Sequence, residues 1–134
     1  MATIKSYTDL NQSRKLAEIL PIESADMCYV QDLLGGGKYG DYKPYIGDLI
    51  PAYGQDKIKC WSLAALLGVL PTVIGSVFEK NALRLRMDKS ESDFNIWYDN
   101  LDTGDVAEGF DVIADNPVDA CYEMIIRLNE LKML

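Results

Sequence analysis

Ala82-Leu83-Arg84-Leu85-Arg86-Met87, then Phe94-Asn95-Ile96-Trp97-Tyr98-Asp99-Asn100-Leu101 and Glu108-Gly109-Phe110-Asp111-Val112-Ile113-Ala114, decide the fold. Apolar and polar residues alternate in these short runs, and the runs are separated by turn-forming Asp88 to Asp93 and Asp102 to Asp105. Period two is the signature of a strand with one face on a core and one on solvent. With a similar run from Thr72 to Glu79 in front, set off by Lys80-Asn81, the segment predicts an antiparallel meander. In Ala82–Met87 the alternation also sends Arg84 and Arg86 to the same face, with Asp88 next on it.

Helices flank this meander. After it, Asn116 can cap a helix whose first residue is Pro117 and whose first turn holds Asp119, a carboxylate favoured by the helix dipole. Val118, Cys121, Tyr122, Ile125, Leu128 and Leu131 return to one face of that helix, which should pack on the sheet. Before it, Leu63, Leu66, Leu67 and Leu70 give Ser62 to Leu70 an apolar stripe, ended by Pro71. Residues 6 to 20 read as the first helix, with Ser6 or Thr8 as cap and Pro21 as stop, and Ala25 to Leu34 as a strand. Residues 35–59, with six glycines, two prolines and four tyrosines, read as an irregular region with room for a short hairpin. The order α-β-loop-α-β-β-β-β-α predicts an α+β two-layer sandwich over a single globular domain, 1–134.

The 134 residues include 49% apolar and 25% charged side chains, enough for one core and a solvated surface. Thirteen Lys and Arg against 21 Asp and Glu give a formal charge of −8, which argues against a grip on long nucleic acid through many phosphate contacts. The absence of histidine removes Ser/His/Asp and Cys/His catalytic pairs, His-ligated zinc and a histidine pH switch. Cys28, Cys60 and Cys121 are odd in number and lack CxxC spacing, so they read as buried thiols of a reducing cytoplasm. No run reaches the roughly 18 apolar residues of a membrane span, and the N-terminal residues lack the apolar core of a signal peptide. A soluble cytoplasmic protein without a membrane partner is expected.

Three blocks carry a resemblance: Ser6 to Met27 (Ser-Tyr-Thr-Asp-Leu-Asn-Gln-Ser-Arg-Lys-Leu-Ala-Glu-Ile-Leu-Pro-Ile-Glu-Ser-Ala-Asp-Met), Cys60 to Pro71 (Cys-Trp-Ser-Leu-Ala-Ala-Leu-Leu-Gly-Val-Leu-Pro), and Asn116 to Leu134. The chain resembles a group of small uncharacterised proteins carried by gut bacteria, their phages and other mobile elements. The resemblance implies a fold and a genomic neighbourhood, hence the cytoplasm of a bacterial host, and brings no catalytic motif.

Several groupings can carry chemistry. Gly35-Gly36-Gly37-Lys38-Tyr39-Gly40 can offer backbone N–H groups to a phosphate with Lys38 adding charge, but no Lys-Ser/Thr entering a helix follows, and a hairpin tip is the competing reading. Tyr39, Tyr42, Tyr45 and Tyr53 lead to Trp61, interleaved with lysines, and rings with polar tips suit base stacking or a protein interface as well as a covered core. Arg84 and Arg86 can grip a phosphate or carboxylate, or pair with the acidic strands that follow. Asp102-Thr103-Gly104 spells the aspartic-protease triplet in an acidic setting that suits a turn instead. Asp99, Asp102, Asp105 and Glu108 fall short of an EF-hand, since Leu101 stands at the third loop position and Phe110 at the twelfth. No metal or cofactor is therefore expected.

The preferred reading is a binding protein without catalysis of its own, an accessory factor of a phage or mobile element that captures a small anionic ligand such as a nucleotide signal. Lys38, Arg84 and Arg86 would meet the phosphate, and Tyr39, Tyr42, Tyr45, Tyr53 and Trp61 the base. A second reading is a protein-interaction module. Glu91, Asp93, Asp99, Asp102, Asp105, Glu108, Asp111 and Asp115 place all the charge of 91–115 on one sign, suited to a basic partner. A third is a carboxylate hydrolase acting through Asp102. Homodimerisation through exposed meander edges is open to such a fold.

Overall fold

Where leucines alternate with arginines, a strand forms as the period requires: Leu83–Lys89 (β5) pairs antiparallel with Phe94–Asn100 (β6), and β6 with Val106–Ala114 (β7). The computed structural model describes residues 5–36, 38–51, 55–76 and 80–134. Of the run expected from Thr72 to Glu79, Val73–Ile74 (β4) pairs with β5, and residues 77–79 lie outside the described residues. The sheet order β4-β5-β6-β7 is the meander that the sequence indicates.

This meander belongs to one of two compact units, residues 1–6 with 66–134. Cross-strand pairing puts Leu85 opposite Tyr98, Met87 opposite Ile96, and Ile96 opposite Val112 on an inner face. Helix α3 (Pro117–Glu130) lies against β6 and β7, burying Val118, Cys121, Met124, Ile125 and Leu128. Its start is as read: Asn116 Oδ1 accepts from the Asp119 N–H at 2.9 Å, with Pro117 as the first residue. Leu131, assigned to the packed face, follows the last turn and is exposed. Tyr98 is fully buried, its ring edge-on to Phe110 at 6.2 Å and its hydroxyl donating to the Pro71 carbonyl at 2.7 Å. Such a donor cannot be buried unpaired without cost. Arg127 donates to the carbonyls of Gly109 and Asp111 at 3.0 and 2.8 Å, occupying acceptors on the outermost strand.

The other unit is residues 7–65. Helix α1 (Leu10–Ile19) starts at Asp9 and not at Ser6 or Thr8. The reason is a capping box: Asp9 accepts from the Gln12 N–H at 2.8 Å while Gln12 accepts from the Asp9 N–H at 3.1 Å. Thr8 is buried instead, sharing a 2.8 Å hydrogen bond with Ser13 and accepting from the Trp61 N–H. Met27–Gly35 (β1) is the central strand of a second antiparallel sheet, between Lys38–Ile46 (β2) and Lys57–Cys60 (β3). Much of the stretch read as irregular is thus ordered as strand. Gly35 and Gly36, at φ +86° and +59°, supply the left-handed backbone that a tight hairpin turn requires, so the hairpin-tip reading of the glycine stretch describes it. Pro44 is tolerated because β2 is an edge strand, where a missing N–H need not break a ladder. Helix α2 (Leu63–Val69) carries the chain from this unit to the next.

The class is therefore α+β with three helices, and the strands divide into a three-stranded and a four-stranded antiparallel sheet. Cys28, Cys60 and Cys121 are buried free thiols. Among the described residues no helix is long and apolar enough to cross a membrane.

Candidate functional site

The four-stranded sheet has a second, outer face. Strand parity puts Arg84, Arg86 and Asp88 of β5 on it, with Asn95, Trp97 and Asp99 of β6 and Asp111 of β7. Arg84 stands directly opposite Asp99, and Arg86 directly opposite Trp97. Arg84 Nε donates to Asp99 Oδ1 at 2.9 Å, and Arg86 Nε lies 3.9 Å from Asp99 Oδ2. One carboxylate thus stands between two guanidinium groups.

The burial of the three groups is unequal. The Asp99 side chain is 8% exposed, against 39% for Arg84 and 47% for Arg86. A carboxylate so enclosed is stable only when paired, and the two arginines pair it. Each uses its inner Nε to do so. Among the described residues, the terminal amino groups of Arg84 and Arg86 take no hydrogen-bond partner. A guanidinium has five donors in a fixed fork, so both retain the edge that grips phosphate or carboxylate. The register breaks beyond Trp97, where Gly109 adopts φ +84°, and Asp99 is left opposite Val106.

Trp97 was not among the residues the sequence singled out. It is half-buried, with Arg86 on one side and Asp111 on the other. Its signal is visible in retrospect: Trp97 shares the parity of Asp99, and the strand before it carries the two arginines. A partly exposed ring beside a guanidinium group can stack a base while the charge holds a phosphate.

The aromatic residues picked from the sequence belong to the other unit, residues 7–65. Trp61, expected to stack a ligand, is fully enclosed, and its indole N–H donates to the Ser24 hydroxyl at 2.9 Å. It is a core ring that no ligand reaches. Tyr42 donates its hydroxyl to Asp56 at 2.6 Å, a bond that raises its pKa, and its ring faces Arg14 at 6.0 Å. Tyr42 and Tyr45, three residues apart in a regular stretch of β2, leave opposite faces of the sheet. Tyr39 and Tyr45 are exposed, as is Lys38 at the start of β2. Tyr53 lies outside the described residues. Of the eight residues expected to form one site, the structure places Arg84 and Arg86 together and gives Trp61 to the core.

A second pair of cations repeats the spacing of the arginines. Lys57 and Lys59 on β3 both reach Asp48 Oδ1, at 2.6 and 2.8 Å. Here the carboxylate is the outer group, 60% exposed, and the lysines are 25% and 17% exposed. Their hydrogen bonds hold the Asp48 carboxyl down at about 2. Both ammonium groups are thereby engaged.

The acidic segment is mostly surface. Asp99 is buried against the arginines, and the other seven acids of 91–115 are exposed. Asp102-Thr103-Gly104 forms the β6–β7 turn, in which Asn100 Oδ1 accepts from the Asp102 and Thr103 N–H groups at 2.8 and 3.2 Å. Among the described residues no group of three or more His, Cys, Asp or Glu is placed to hold a metal ion.

Compared with protein-family models, with curated proteins and with solved structures, the chain finds no match.

Proposed function

We propose that the chain is a non-catalytic binding protein that holds a small anionic ligand, a nucleotide, on the outer face of its four-stranded sheet. The phosphate lies on Arg84 and Arg86, and the base stacks on Trp97. In keeping with the resemblance to phage and mobile-element proteins, its role is to sequester a nucleotide signal as an accessory factor in a bacterial host. One observation carries this reading: two guanidinium groups share a single buried carboxylate through their inner nitrogens, with their outer edges unpartnered among the described residues beside an aromatic ring.

Calorimetric titration with nucleoside monophosphates and cyclic nucleotides tests it. Charge-assisted hydrogen bonds contribute about 1.5–3 kcal/mol each, so Arg84→Ala/Arg86→Ala should abolish measurable binding. Stacking on a ring contributes about 1–3 kcal/mol, so Trp97→Ala should weaken binding roughly tenfold or more. Binding that survives unchanged in the double arginine variant overturns the proposal.

The seven exposed acids of 91–115 favour a second reading, an interface for a basic protein. A stoichiometric, salt-sensitive partner that co-purifies from the native host would support it. Bound nucleotide in the pure protein would support the first.

A further inference from the structure

The charges on the outer face go further than a general preference for anions. Arg84 and Arg86 supply two positive charges and Asp99, within 2.9 and 3.9 Å of them, removes one. Asp111 stands directly opposite Trp97, and Asp88 follows Arg86 on the same face, both exposed. Among the described residues neither makes an ion pair. Alternate residues of a strand are about 6.8 Å apart, and residues opposite each other on neighbouring strands about 5 Å. A phosphate on the arginine forks therefore has a negative charge within several ångströms along β5, and the stacked ring has another beside it. The whole chain adds a field of the same sign, at −8.

Such a site has one net positive charge to offer, enclosed by acids. We infer that it selects a phosphodiester, which carries one negative charge, over terminal monophosphates and polyphosphates. The diagonal from Arg84 to Trp97 spans about 7–8 Å in sheet geometry, which suits a phosphate and a base of the same nucleotide. This inference rests on the binding proposed above and names the ligand class for that same site.

The test is competitive calorimetry of the full chain at fixed ionic strength in magnesium-free buffer. The probes are adenosine 3′,5′-cyclic monophosphate, the 3′,5′-linked dinucleotide ApA, adenosine 5′-monophosphate and ATP, with the guanosine series in parallel. The expected order is diester tightest, monophosphate weaker, and triphosphate weaker by about tenfold or more, as neighbouring like charges at this separation produce. The cyclic and linear diesters separate the two sources of that chemistry, and binding by either one supports the inference. In Asp88→Asn/Asp111→Asn every probe should gain, the triphosphate several-fold more than the diester, so that the ratio between them narrows. ATP binding more tightly than the diesters, or a diester-to-triphosphate affinity ratio unchanged in the double aspartate variant, overturns the selection and leaves nucleotide binding standing. No binding by any probe overturns both.

Discussion

Beside the three-stranded sheet, just past the end of β2, Asp48 is exposed and binds Lys57 and Lys59 of β3. In the four-stranded sheet Asp99 lies inside and Arg84 and Arg86 spread over it. Both are a Cat-x-Cat pair on one strand with one aspartate, and the pattern of letters does not separate them. Burial does. Where the carboxylate is outermost, the cations are already closed off, and an ammonium is a point charge that one oxygen can satisfy. Where the carboxylate is innermost, it orients two planar forks and leaves their outer edges without a hydrogen-bond partner among the described residues. On the proposed reading, a cation pair is available to a ligand when its counter-charge lies behind it.

The same contrast holds for the two tryptophans and gives the largest expected effect. Trp61→Ala should destabilise the protein by about 3–5 kcal/mol, since it empties a fully enclosed position and orphans the Ser24 contact. Trp97→Ala, at a partly exposed position, should cost less than Trp61→Ala while weakening nucleotide binding. Chemical denaturation of both variants checks this. A Trp97 variant as unstable as the Trp61 variant would make Trp97 a core residue.

Next in size is the removal of Asp99. Asp99→Asn leaves two guanidinium groups facing each other without a counter-charge, and their partial exposure lets water screen much of the repulsion. A loss of about 1–2 kcal/mol in stability is expected. Asp48→Asn should leave stability at neutral pH close to that of the parent, because the carboxylate there stands in solvent. Equal losses at the two aspartates would erase the distinction between the pairs.

A smaller effect appears at the alkaline end in both units. Burial pushes the Cys60 and Cys121 thiols up to about 12, and the same cause pushes the Tyr29 hydroxyl to about 12. A raised folded-state pKa gives stability that is whole below the unfolded value and is lost as pH climbs towards the folded one. Stability should therefore fall from about pH 9 upward, the unfolded thiol's range, and a thiol reagent at pH 8 should label neither cysteine until the chain unfolds. The smallest effect is at the acid end. The Asp48 pKa is lowered to about 2, so its contribution is present above the ordinary carboxylate range and disappears as pH falls through about 2. Melting curves of the parent and Asp48→Asn should converge there.

The meander and the last helix were legible because their signals are local. Leu83, Leu85 and Met87 alternate with Arg84, Arg86 and Asp88, and Asn116-Pro117 with Asp119 fixes a helix start within four residues. Strand β2 was hidden because Gly40 and Pro44 weigh against a central strand, and an edge position relieves that objection only once the sheet order is known. The start of α1 shifted because Asp9 and Gln12 form a reciprocal cap that outcompetes the lone hydroxyls of Ser6 and Thr8. Trp61 looked like a ligand ring because it adjoins an apparently irregular loop, and its burial depends on Thr8 and Ser24, distant in sequence. The arginine pair was visible. That Asp99 would lie behind it, opposite Arg84 and within two residues of Trp97, depends on a register that no local pattern states.

Nuclear magnetic resonance of the Arg and Lys side-chain nitrogens during a titration with adenosine 3′,5′-cyclic monophosphate tests the difference between the two pairs most directly. The Arg84 and Arg86 Nε–H signals should move together and saturate, while the Lys57 and Lys59 ammonium signals stay in place, held by Asp48. Movement of the lysines instead, or of none of the four, would contradict the assignment of the outer arginine face as the binding site.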